Sequence, residues 1–177
     1  MPSLDSLREH LKITREKLLR AADGFSGEQW KARPAPGSWS AGEVLAHLTI
    51  VERVILGGAD RIIQQPPQAV PFWGRLHRPL WLVTRRVRRV ESPIPLDPAQ
   101  VSEKEAALEQ LQAIRGRTLV FLEETSRRDY SAYHWKHPFL GSLNFYEWFK
   151  LLGNHEVRHS KQIQEIIEKF QKQKHFS

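Results

Sequence analysis

Hydrophobic positions recur with a spacing near 3.6 in four long stretches, and no stretch of useful length alternates with period two. The first runs from about Ser3 to Ala22, with Leu4, Leu7, Leu11, Leu18 and Ala22 on one stripe. The second follows Ser40-Ala41-Gly42-Glu43, which has the pattern of a capping box, and continues to about Gln64. Val44, Leu48, Val51 and Ile55 line its inner face, with His47 beside them. A second capping pattern, Ser102-Glu103-Lys104-Glu105, opens a third helix to about Arg127, with Leu108, Leu111, Thr118, Leu119 and Leu122 inward. Asn144, with Glu147 three residues on, caps a fourth helix that ends near Lys172. Four amphipathic helices of this length predict an all-α four-helix bundle.

The connectors refine the topology. Residues 24 to 39 hold Pro34, Pro36 and Gly37, and residues 129 to 143 form a loop rich in His and aromatics. The connector over about 65 to 101 contains seven prolines and leaves room for a short helix from about Leu80 to Val90. It is long enough to cross the whole bundle. The third helix can then run parallel to the second, which predicts an up-down-down-up order. One domain over residues 1–177 is expected from the length.

Charge changes the picture at one place. The formal net charge is +7, yet Arg61 to Val90 holds seven arginines, no lysine and no acid. The remaining residues carry 20 basic and 20 acidic groups and sum to zero. A nucleic-acid binder charged over its whole surface is excluded. The chain has no cysteine, which excludes disulfides, thiolate-held zinc, Fe–S clusters and a nucleophilic Cys. No stretch has the length of a spanning helix, and the polar start is no secretory signal. A soluble, cytoplasmic protein is expected.

The histidines carry the candidate chemistry. His155-Glu156-Val157-Arg158-His159 puts two imidazoles at i and i+4 on the fourth helix. Both share a stripe with Trp148, Leu152, Ile163, Ile166 and Phe170, so both point inward. An inward pair without partners is costly, and two protonated imidazoles repel. A shared cation resolves both costs; hydrogen bonds inside the bundle are the alternative. His47 lies on the inner face of the second helix, and topology decides whether it meets the pair. A metallopeptidase of the extended H-E-x-x-H type needs Gly and His where Gln162 and Glu165 stand, and no edge strand precedes the motif to hold a peptide. That reading is set aside.

Two blocks resemble a known family. Pro36-Gly37-Ser38-Trp39-Ser40-Ala41-Gly42-Glu43-Val44-Leu45-Ala46-His47-Leu48 is similar to the first signature of the DinB-like superfamily. Phe139-Leu140-Gly141, with Asn144 to Gln162 carrying His155-x-x-x-His159, is similar to its second. The resemblance implies an up-down-down-up bundle and a divalent metal, zinc or nickel among others, held by His47, His155 and His159 with open positions. It also implies a homodimer. Relatives include metal-dependent transferases and isomerases that use a low-molecular-weight thiol such as bacillithiol or mycothiol. A thiol-dependent transferase or a hydrolase acting on a small molecule is therefore expected. A non-catalytic metal-binding or dimerisation module is the alternative.

Around such a centre, Glu156 is a candidate base, against the reading of a solvated helix residue. Gln162, one turn beyond His159, is a candidate to orient a ligand or bound water. The arginine-rich crossover interleaves Arg85 and Arg88 with Trp81, which marks those three as candidate substrate-binding residues. An anionic small molecule is the most economical occupant, with a membrane surface or nucleic acid after it. A solvated charged face is the plainer reading. His134, Trp135 and His137 can line the mouth of the pocket.

Overall fold

A computed structural model describes residues 4–67, 79–84 and 101–175. Five α-helices, one 3-10 turn and a small hairpin make up these residues. Helix α1 spans Leu4–Asp23, α2 Gly27–Lys31, α3 Ala41–Ile63, α4 Lys104–Glu124 and α5 Phe145–His175. The four long helices are the expected bundle, and none of the described helices is long and apolar enough to cross a membrane.

Their directions follow from which ends meet. Lys104 at the start of α4 donates to the carbonyls of Asp23 and Phe25, just past the end of α1. A Cβ on Gly42, at the start of α3, would strike Val101, just before α4. A Cβ on Gly24, after α1, would strike Ile167 near the end of α5. So α1 and α5 run parallel, α3 and α4 run the other way, and the order is up-down-down-up.

Caps set the register of α3 and α5. Ser40 Oγ accepts from the Glu43 amide at 3.2 Å, and Glu43 accepts from the Ser40 amide at 2.7 Å. Asn144 and Glu147 form the same reciprocal pair, at 2.9 and 2.8 Å. The second expected box does not form: Glu103 is the N-cap of α4 and makes no side-chain capping bond. Helix α4 also stops at Glu124, short of Arg127, where Thr125 ties back to the Phe121 carbonyl at 2.8 Å.

Three local elements depart from the expected pattern. The connector after α1 contains α2, capped by Ser26 and Gln29. Its Trp30 is fully buried and donates to the Ser102 carbonyl at 3.0 Å. The aromatic loop folds into a hairpin, β1 His134–His137 against β2 Gly141–Asn144. Each strand has four residues, too short for a period of two to stand out. Only a 3-10 turn, Leu80–Thr84, stands at the start of the expected crossover helix; 85–90 lie outside the described residues.

The core is divided. One apolar cluster gathers Leu7, Leu11, Leu122, Phe145, Phe149 and Leu152; the other gathers Leu18, Trp30, Leu45, Leu48, Leu111 and Ile163. Between them lie Arg15, Glu52, Arg115 and Glu156, all buried. Arg15 reaches Glu156 Oε1 at 2.7 Å and Glu52 Oε2 at 2.5 Å. Arg115 reaches Glu52 Oε1 at 2.8 Å and lies 3.1 Å from Glu156 Oε1. Thr14 and Thr118 complete the layer, donating to Glu156 and Glu52 at 2.7 and 2.8 Å. Two positive and two negative groups balance, so no buried charge is left uncompensated.

Candidate metal centre

Helix α3 delivers His47 about two turns after its Ser40 cap. Helix α5, running the opposite way, delivers His155 and His159 from one face. The Nε2 atoms of His47 and His155 are 3.5 Å apart, and those of His155 and His159 are 3.1 Å apart. All three ligand nitrogens lie within 4.8 Å of one another. Nitrogens bound to a tetrahedral zinc at about 2.0–2.1 Å stand about 3.4 Å apart, and cis positions of an octahedron stand about 3.0 Å apart. The 3.1 Å spacing falls in that range and the 3.5 Å spacing lies about 0.1 Å beyond it. Hydrogen bonding among three imidazoles can use only the protons they hold, whereas one cation engages all three lone pairs at once.

Burial keeps His47 and His155 neutral. Burial lowers His47 from 6.5 to about 4. Burial, and then the neighbouring His159, His47, Arg158 and His137, hold His155 well below its ordinary value. A neutral imidazole is the form that binds a metal. His159 Nδ1 donates to Gln162 Oε1 at 2.9 Å, which turns the Nε2 lone pair toward the other two rings. His155 Nδ1 is buried with no hydrogen-bond partner among the described residues. The donor set therefore fits a divalent ion of the zinc or nickel kind.

Aromatic rings frame the centre. Trp39, just before the Ser40 cap, has its ring 5.1 Å from His47. Trp148 lies seven residues before His155 on the same stripe. Its indole stacks on Trp135 of the hairpin at 4.9 Å and 5°.

Glu156 is placed elsewhere. It is fully buried, its Oε1 is taken by Arg15 and Arg115, and its Oε2 by Thr14. It is neither a solvated helix residue nor a carboxylate free to take a proton at the histidines. Gln162 is where a residue orienting a ligand belongs. Trp81 is half exposed, on a turn docked to α5 by Asn154 donating to Leu80 and Lys161 donating to Thr84. Arg85 and Arg88 lie outside the described residues. The charged layer was missed from the sequence, although Glu52 falls four residues after Leu48 and three before Ile55, on the inner face of α3.

Fold and site define a four-helix bundle with a candidate three-histidine metal centre. The chain belongs to the DinB superfamily, whose model matches residues 10–163. It is similar to YuaE of Bacillus subtilis (strain 168), an uncharacterized protein, at 26% identity over 84% of this chain and 90% of YuaE. Among solved structures it is similar to YfiT from Bacillus subtilis, described as a probable metal-dependent hydrolase with an unusual four-helix bundle topology. That match has a TM-score of 0.67 at 16% identity, over 94% of this chain and 87% of YfiT. TT2238, a four-helix bundle protein, matches with a TM-score of 0.55 at 18% identity, over 92% of this chain and 99% of TT2238.

Proposed function

We propose that this protein is a divalent-metal-dependent enzyme acting on a small molecule, either a hydrolase or a thiol-dependent transferase, with His47, His155 and His159 as the ligands. The observation that carries the reading is the convergence of three imidazole nitrogens from two antiparallel helices, with His155 Nε2 3.5 Å from that of His47 and 3.1 Å from that of His159. Three neutral ligands leave the charge of a dication uncompensated and coordination positions open, as in catalytic sites. A divalent ion there would polarise a substrate carbonyl or lower the pKa of a bound water or thiol. The description of YfiT as a probable metal-dependent hydrolase favours the same class.

The chain's own residues supply the rest. Gln162 orients His159. Trp39 and Trp148 give the centre apolar walls. The thiol of a transferase reaction has to come from a co-substrate, since the chain has no cysteine. A homodimer and a cytoplasmic location belong to the same proposal.

The test is the metal content of protein purified without a His tag or added metal, beside His155→Ala. About one divalent ion per chain, lost in the variant, supports the reading and directs substrate screens to hydrolysis and thiol transfer. No metal after incubation with zinc, nickel and manganese overturns it.

A further inference from the structure

The hairpin is fastened to both helices that carry the histidines. Trp135 stacks on Trp148 of α5, and Trp148 Nε1 donates to the Trp135 carbonyl at 3.2 Å. On the other side the Trp135 indole packs against Gly58 of α3, where a Cβ would come within 3.3 Å of its nitrogen. His137 stands two residues after Trp135 on the same face of β1, with its ring 5.2 Å from Trp148. Through Trp148 it lies against the stripe of α5 that carries His155 two turns further on. It is not part of the three-nitrogen set, so it is not a fourth ligand.

The proton on His137 is placed by the backbone. Its Nδ1 accepts from the amides of Phe139 at 3.0 Å and Leu140 at 3.2 Å. An amide N–H needs a lone pair, so Nδ1 is unprotonated and Nε2 carries the hydrogen. Among the described residues nothing accepts from that Nε2–H, and the ring is only partly buried. Protonating Nδ1 would break both amide bonds. His137 is thus a fixed hydrogen-bond donor and a poor base.

We propose that His137 contacts the substrate: its Nε2–H donates to an oxygen acceptor, a carboxylate or carbonyl oxygen, of a small molecule held at the three-histidine centre. This rests on the metal reading above and names a substrate class for it, an oxygen-bearing group presented between the histidines and the Trp148 wall. No proton is transferred in this contact. The donor orients the acceptor and stabilises negative charge that collects on it.

Cobalt(II) loaded into the protein, with acetate as the probe, tests the contact through the visible absorption of the metal. One hydrogen bond to a charged acceptor corresponds to about a tenfold or larger change in affinity. His137→Phe is expected to weaken acetate by about that factor while cobalt affinity stays within about twofold. His137→Gln, which keeps a donor nitrogen at similar reach, is expected to recover most of the loss. Separately, nitrogen NMR of histidine-labelled protein is expected to show His137 protonated on Nε2 at neutral pH. Acetate affinity unchanged in the cobalt-loaded His137→Phe overturns the proposal alone. So does a parallel loss of cobalt affinity, which would make His137 a structural support, and so does protonation on Nδ1. Wild-type protein that takes no cobalt overturns the metal reading and the proposal together.

Discussion

Arg15 and Arg115 occupy matching positions on antiparallel helices, and each guanidinium donates to the backbone carbonyl four residues before the other, Leu111 and Leu11. The two therefore lock α1 to α4 while their remaining donors hold Glu52 of α3 and Glu156 of α5. One layer fixes the rotation of all four long helices. Glu52 lies five residues after His47, and Glu156 directly follows His155, so the same layer sets the helix faces that present the three histidines.

Arg115→Met is expected to destabilise the fold by about 3–5 kcal/mol, because it leaves two buried carboxylates facing one arginine. Urea unfolding reads this directly. Adding Glu52→Leu restores the charge balance and is expected to recover a good part of the loss. A single variant within about 1 kcal/mol of wild type would mean that water reaches the layer.

Gln162→Leu is expected to lower metal affinity by about 10–100-fold, the usual cost of losing the partner of a ligating imidazole. Thermal stability of the metal-free protein should change little, since Gln162 is partly exposed. Competition with a chromogenic chelator measures the first quantity and a melting curve the second. Equal metal affinity in both proteins would remove Gln162 from the site.

The metal-free protein is expected to lose stability as pH falls from about 6.5 toward 4. Unfolded His47 takes up a proton near 6.5, but the folded residue does so only at about 4. Across that window the unfolded chain binds more protons, so acid favours unfolding, by about 3 kcal/mol from His47 at the low end. His155 acts in the same direction. Burial alone would raise Glu52, but Arg115, Arg15 and Thr118 hold its carboxyl below its ordinary 4.5. Its contribution is therefore lost in more acid solution. Melts of chelator-treated protein at stepped pH check this, with His47→Gln flattening the upper window.

Gly42→Ala is expected to destabilise by about 1–3 kcal/mol despite the better helix propensity of alanine. The added Cβ would lie 2.8 Å from Trp30 Nε1 and 2.7 Å from Val101. Trp30 is fully buried and bonded to Ser102, so it has little room to yield. A propensity gain is worth at most about 1 kcal/mol, and the clash outweighs it. A higher melting temperature for this variant would contradict the packing described here.

Much of the bundle was legible because helical spacing is a long-range pattern. His155 and His159 share a stripe with Trp148 and Ile163; Trp148, His159 and Ile163 are buried as expected, and His155 is partly buried. The crossover length foretold the parallel middle pair. The charged layer was not legible in the same way, because a lone Arg or Glu on an amphipathic helix reads as solvent-facing. A signal existed: the Leu7, Leu11, Leu18 stripe of α1 has a gap filled by Thr14 and Arg15. The hairpin was hidden by its length, and with it the placement of His137. For Glu156, adjacency in sequence to His155 suggested shared chemistry, but a step of one residue turns a side chain about 100° around the helix, toward Arg15 and Arg115.

The parallel pairing of α1 with α5 joins the first long helix to the last, and the Thr14–Glu156 hydrogen bond closes a separation of 142 residues. On a ribosome α1 can meet α4 first, but its contacts with α5 must wait until Phe145–His175 has emerged. Folding is then expected to be slower than in bundles whose neighbouring helices pair in order. His155 and His159 arrive with α5, so the three-histidine set assembles only when the last of the four long helices joins α3.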